Sequence, residues 1–203
     1  KNINKLLPGQ TLSLRKDGGM RCKSYWRPAP SSTLRRPADT QEAAAQISEL
    51  LRDSIRLQMR SDVPVGALLS GGIDSGLMVA MASEESSSPI ATFTARFKDA
   101  TVDEGPLAAE IAERYSTNHH CLDISLANAA ELLPQAIWHC EEPVNDAALL
   151  PNFMIERELG RHTKVALNGT GGDELFCGYG RYFQLPIEAY YLGLPKSVRR
   201  RII

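Results

Sequence analysis

The feature that most restricts this chain is an alternation, repeated between residues 41 and 168, of short apolar runs with longer stretches that are apolar on one side only. From Gln41 to Arg60 the residues Ile47, Leu50, Leu51, Ile55 and Met59 recur at the three- and four-residue spacing of a helix with one buried face. Val63 to Leu69 is a short apolar run that ends in Ser-Gly-Gly, the form of a buried parallel strand feeding a loop. The same patterning predicts helices over Asp74–Ser83, Asp103–Tyr115, Ala127–Cys140 and Leu149–Gly160, and strands over Ile90–Phe97, His119–Ile124 and Lys164–Asn168. Strands alternating with amphipathic helices are accommodated by a mainly parallel, open sheet with helices on both faces, so the expected fold class is α/β. Ligands in such sheets bind beyond the carboxyl ends of the strands, which directs the search for chemistry to the loops after Leu69, Phe97 and Asn168.

Upstream of this region two short extended runs, Gln10–Arg15 and Met20–Trp26, flank Lys16-Asp17-Gly18-Gly19. That turn is rich in residues that tolerate positive φ, and a β-hairpin is expected. Pro28, Pro30 and Pro37 among small and polar residues mark 28–40 as a linker, so the domain boundary is expected there. The organisation read from the chain is 1–30 with the hairpin, 31–40 as linker and 41–203 as the principal domain. A start at Lys1 and an end in Ser-Val-Arg-Arg-Arg-Ile-Ile, which reads as an interrupted helix, lead us to expect a piece of a longer protein.

Charge narrows the partners. With 23 basic and 24 acidic residues the formal charge is −1, so no long-range field favours nucleic acid. Cys22, Cys121, Cys140 and Cys177 are scattered and form no pair at metal-ligand spacing, which is the pattern of reduced thiols in a cytoplasmic protein. No apolar run approaches the roughly 20 residues of a membrane span, and no signal peptide is present, so no membrane partner is expected. Adjacent residues of a strand face opposite sides, which makes His119 and His120 structural rather than a ligand pair. Arg199-Arg200-Arg201 reads as a solvated helix face, and Trp138, Tyr190 and Tyr191 as core or interface residues.

Two segments carry chemistry. Ser70-Gly71-Gly72-Ile73-Asp74-Ser75 lies between a predicted strand and a predicted helix. Glycines let the backbone approach an anion, the helix start presents unpaired N–H groups, and two hydroxyls add donors, which together make a phosphate cradle. It lacks the Gly-Lys-Ser/Thr ending of a Walker loop. The second segment, Asn168-Gly169-Thr170-Gly171-Gly172-Asp173-Glu174-Leu175-Phe176-Cys177-Gly178-Tyr179, again directly follows an apolar strand.

The first segment resembles the S-G-G-x-D-S pyrophosphate loop of the ATP pyrophosphatases. The second resembles the S-G-[E/D]-G-[S/G/A]-D-E-[L/V]-F-G-G-Y segment of the glutamine-dependent asparagine synthetase family, which separates that family from other pyrophosphatases. Val63-Pro64-Val65-Gly66, His119-His120 and Glu142-Pro143 with Asp146 follow the same family in the same order, so the likeness covers nearly the whole chain. Leu7-Pro8-Gly9 and Tyr25-Trp26-Arg27-Pro28 look like the tail of its glutaminase domain and the link out of it.

What the resemblance implies is a two-step reaction: the side-chain carboxylate of aspartate attacks the α-phosphate of ATP with release of pyrophosphate, and ammonia then displaces AMP. By the same resemblance Ser70, Gly71, Gly72, Asp74 and Ser75 would hold pyrophosphate, and Asp74 and Asp173 would be Mg²⁺ ligands. Adenosine would be held near Leu68, Leu69, Ala95, Asn168 and Gly169. Ammonia would come from a glutaminase domain, and a homodimer is a possible assembly. Thr170 stands where asparagine-forming members carry Glu or Asp and β-lactam-forming relatives carry Tyr, and its hydroxyl cannot serve as a base at neutral pH. Three readings stay open: an asparagine synthetase or close amidotransferase, a relative that passes an adenylated carboxylate to another nucleophile, and a non-catalytic nucleotide-binding module.

Overall fold

The computed structural model describes residues 4–27, 37–97, 104–125, 127, 129–142, 144–180, 182 and 190–199. Residues 28–36 of the expected linker, and Asp103, Pro143, Arg200 and Arg201, lie outside them. The chain divides into two compact units, Lys1–Ala45 and Gln46–Ile203.

The first unit contains the hairpin. β1 (Gln10–Leu14) and β2 (Met20–Ser24) pair antiparallel, with Gln10 opposite Ser24 and Leu14 opposite Met20. Asp17 accepts the Gly19 N–H at 2.9 Å while Gly18 takes φ +84, the Asx-type turn that this sequence favours. At the open end the Gly9 carbonyl accepts from Tyr25 and Trp26. Asp39 accepts the Glu42 N–H at 2.8 Å and Glu42 accepts the Ala38 N–H, so an acidic capping box starts α1 (Thr40–Gln58) one residue earlier than the apolar spacing predicts.

The second unit is built on a four-stranded, wholly parallel sheet in the order β5-β4-β3-β6. Its strands are β3 (Val65–Leu68), β4 (Ala91–Phe97), β5 (Asn118–Ile124) and β6 (Val165–Leu167). The connecting helices are α2 (Ile73–Glu85), α3 (Gly105–Arg114), α4 (Ala129–Cys140) and α5 (Leu149–Leu159). Beyond β6 lie the short helices α6 (Gly172–Phe176) and α7 (Lys196–Arg199).

Period-2 alternation explains the two cores. Ala67 and Leu69 join Ile55 of α1, Met78, Val79, Met81 and Ala82 of α2, and Ala108 and Ala112 of α3 on one face. Phe93, Leu122 and Ile124 pack with Met154 and Leu159 of α5, and with Ala129 and Leu132 of α4, on the other. Gly66 sits under the Phe93 ring, where a Cβ would lie 2.8 Å from Cε2, so the small residue lets the buried aromatic cross its neighbour strand. The histidines of β5 divide between the faces: His119 Nδ1 lies 3.0 Å from the Thr92 hydroxyl, and His120 stacks on Phe93 with centroids 5.3 Å apart. Burial lowers the His119 pKa, and the neighbouring His120 lowers it further.

The expectation of core or interface aromatics is narrowed. Trp138 is 81% exposed and Tyr190 82%, so neither is a core residue. The buried row of α4 is Ala129, Leu132 and Ala136, and Trp138, two residues past Ala136, falls on the opposite side of the helix. Tyr191 lies under the Arg199 guanidinium, 5.9 Å from its ring centroid.

Candidate functional site

From β3 the chain steps outward through β4 to β5, then returns to lay β6 against the other edge of β3. That reversal opens a crevice at the carboxyl ends of β3 and β6, and the two motif loops leave from those ends. A cleft of about 890 Å³ lies there. Leu68, Leu69, Ser70, Gly72, Asp74, Ser75, Ala95, Asn168, Gly169, Thr170 and Asp173 line it, so eleven of the twelve residues predicted for the site converge.

Gly71 is not among the lining residues. It takes φ +78 against the start of α3, where a Cβ would lie 3.0 Å from Leu107 Cβ and 3.2 Å from the Glu104 carbonyl oxygen. Its place is therefore to turn the loop and let it pack, a role that only glycine fills at no steric penalty.

The loop is held by its own hydroxyls. Ser75, buried in the first turn of α2, accepts the Ser70 N–H at 3.1 Å, lies 3.0 Å from the Ser70 hydroxyl and donates to the Gly72 carbonyl at 3.3 Å. Ser70 in turn accepts the Gly72 N–H at 3.3 Å. The first helical bond runs from the Gly76 N–H to the Gly72 carbonyl, which leaves the amides of Ile73, Asp74 and Ser75 without a partner inside the helix. These amides, at the positive end of a 13-residue helix, are the anion donors that the cradle offers.

The second loop lies directly against this helix start. A Cβ on Gly169 would lie 3.1 Å from the Ser75 nitrogen and 3.3 Å from Asp74 Cβ, and one on Gly172 would collide with the Asp74 carboxylate. Asn168 accepts the Thr170 N–H at 3.0 Å, fixing the turn, and Gly171 at φ +107 reverses the chain into α6. Asp173 lies in the first turn of α6, and a Cβ on Gly178 would run into its carboxylate, so glycine at 178 leaves that side chain its space. Cys177 closes α6 in a left-handed conformation, φ 57, which glycine adopts at no cost.

Arg96 and Phe97 at the end of β4, Glu104 before α3 and Ile155 of α5, which the sequence did not single out, also line the cleft, as do Glu174 and Tyr179 of the second motif, which are joined by a 2.6 Å hydrogen bond. A charged residue ending a predicted strand was the only signal for Arg96. Asp74 and Asp173 bring two carboxylates to one cleft, and among the described residues no group of three or more His, Cys, Asp or Glu forms a closed metal cage.

The profile of the asparagine synthase family matches residues 46–202. Asparagine synthetase [glutamine-hydrolyzing] 1 of Bacillus subtilis is 34% identical over 97% of this chain, which covers 31% of that protein. A putative asparagine synthetase of Mycobacterium bovis is 40% identical over 76% of this chain and 24% of its own length. A protein named Amidase chyE in Penicillium rubens is 27% identical over 90% of the chain and 30% of its own length. The chain thus spans under a third of these relatives. Among solved structures, a glutamine-dependent NAD+ synthetase from Acinetobacter baumannii in complex with ADP aligns at TM-score 0.48 and 21% identity, covering 83% of this chain and 31% of that one.

Proposed function

Since this chain belongs to the asparagine synthase family, we propose that its cleft binds ATP and activates a carboxylate for amide formation, with aspartate as the acceptor. The observation that carries this reading is the meeting of the two motif loops, with the α2 amides that have no partner inside the helix and the carboxylates of Asp74 and Asp173 at one crevice.

In this reading the amides of residues 73–75 hold the pyrophosphate end of ATP, and the hydroxyls of Ser70 and Ser75 keep that loop in shape. Leu68, Leu69, Ala95, Asn168 and Gly169 bound the adenosine portion. Asp74 and Asp173 fit Mg²⁺, because hard carboxylate oxygens suit an ion that fills the rest of its shell with phosphate and water. Bound there, Mg²⁺ would neutralise phosphate charge. An oxygen of the acceptor carboxylate attacks the α-phosphorus as the bond to pyrophosphate breaks, giving the acyl-AMP. Ammonia nitrogen then attacks the acyl carbon, AMP leaves, and the nitrogen loses a proton. The same reading carries ammonia supplied by a glutaminase domain, a homodimer and a cytoplasmic setting.

Thr170 supports a second reading. Its hydroxyl can orient a group by hydrogen bonding but cannot take a proton at neutral pH, and its amide is already bound to Asn168. A relative named an amidase rather than an asparagine synthetase fits a family whose second step varies. The test is aspartate-dependent ATP–pyrophosphate exchange together with ammonia-dependent asparagine formation, in wild type and Thr170→Glu. If aspartate is the acceptor, exchange occurs in both proteins and the substitution raises asparagine formation, by roughly 100-fold where general base help is restored. Exchange with no asparagine from either protein favours another nucleophile, and absence of exchange in both refutes adenylation of aspartate.

A further inference from the structure

The cleft is electrostatically unbalanced. Asp74, Glu104, Asp173 and Glu174 line it against a single cation among the described residues, Arg96. A polyanion entering such a site meets repulsion from the carboxylates of Asp74, Glu104 and Asp173, so one guanidinium there carries more weight than a surface arginine would.

Arg96 also differs from its own strand. On β4, Phe93, Ala95 and Phe97 face the α4 and α5 side, whereas Thr92, Thr94 and Arg96 form the alternate row. The first two members of that row are engaged internally: Thr92 with Thr117 at 2.8 Å and with His119, and Thr94 donating to the Leu69 carbonyl at 2.5 Å. The side chain of Arg96, at the carboxyl end where the cleft opens, has no hydrogen bond or ion pair among the described residues. Asp123 is its register partner on β5, yet the two form no ion pair. Among the described residues, therefore, nothing but the cleft is offered to its donors.

We propose that Arg96 is an oxyanion anchor of this cleft, its guanidinium fork taking two oxygens of one ligand group. The inference rests on the nucleotide and carboxylate reading above. Two groups have the required chemistry, a phosphate of the nucleotide and a carboxylate of the acceptor, and both offer paired oxygens to a planar fork. Arg96 is a positioning residue for that group, and Lys at this site would retain the charge while losing the second parallel bond.

The experiment compares wild type, Arg96→Met and Arg96→Lys in the intact protein, with the melting temperature confirming that the exposed position leaves the fold unchanged. One arm measures MgATP affinity by calorimetry at low and high salt. The other measures the aspartate KM and kcat in ATP–pyrophosphate exchange. A charge-assisted bond predicts about 10-fold to 100-fold weaker binding for Arg96→Met, with partial rescue by Lys. Loss confined to the MgATP arm, with a weaker salt dependence, assigns the phosphate, and loss confined to aspartate KM with kcat retained assigns the carboxylate. Wild-type values in both arms for Arg96→Met overturn the proposal. If wild type itself neither binds MgATP nor exchanges pyrophosphate, the functional reading fails and the proposal falls with it.

Discussion

Replacing Gly172 by alanine tests the contact between the two loops with a single methyl group. Gly172 has no positive φ, so alanine is compatible with the backbone, and at the start of α6 it should favour the helix by up to about 1 kcal/mol. The added Cβ would stand 2.6 Å from Asp74 Cγ and 3.1 Å from Oδ1. Carbon atoms pack at about 3.5 Å or more, so the carboxylate or the loop must give by roughly 1 Å. Turning Asp74 off its rotamer costs about 0.5–1.5 kcal/mol, which offsets the helix gain and leaves fold stability nearly unchanged. Binding should not be spared. Mg²⁺ accepts oxygens at about 2.0–2.1 Å with little tolerance, and a 1 Å misplacement in a site can be worth 100-fold. Calorimetry with MgATP should therefore show affinity lower by about 10-fold to 100-fold in Gly172→Ala, with a melting temperature close to wild type. Gly180→Ala, where a Cβ meets nothing within 4 Å among the described residues, is the matched control. Wild-type affinity in Gly172→Ala would refute the view that this contact positions Asp74 for the ligand.

Two further outcomes follow from the packing and the titration of the sheet. Gly66→Ala places a methyl 2.8 Å from Phe93 Cε2 and 3.3 Å from the Ala91 carbonyl oxygen, so overpacking should cost about 1–3 kcal/mol in chemical denaturation; an unchanged midpoint would contradict the packing of Phe93 across β3. His119 has a lowered folded pKa, so the unfolded chain binds more protons in the window below the ordinary value of 6.5. Its contribution is present above that value and lost as pH falls toward the folded pKa, and the fall in melting temperature between about pH 7 and 5 should be shallower in His119→Asn; equal slopes would remove His119 as its cause.

Much of this architecture is legible in the chain because burial imposes period. The four sheet strands and five longest helices follow apolar patterns that local chemistry reinforces, and their ends move by one or two residues where a cap intervenes, as Asp39 does for α1. The loops 70–75 and 168–173 could be found because glycines, hydroxyls and carboxylates at strand ends have few structural uses. Helix α6 was hidden, since five residues behind a glycine run carry no helical period. Arg96 and Glu104 join the site only through the fold, which brings the end of β4 and the start of α3 beside β3. The division of labour among the glycines was equally invisible: Gly71 packs on α3, whereas Gly172 lies on Asp74, and no spacing rule separates them. Size alone could not divide core from interface for Trp138, and the sheet-facing row of α4 is filled by smaller residues.

The crevice beyond β3 and β6 is proposed as an ATP site centred on Asp74. Titrating MgATP into the intact protein and into Asp74→Ala, at one Mg²⁺ concentration, addresses it directly. Wild type should bind, and removal of the carboxylate should weaken binding by at least about 10-fold, the scale of a lost charge-assisted contact. Equal affinity in the two proteins, or no binding by wild type, would contradict the account.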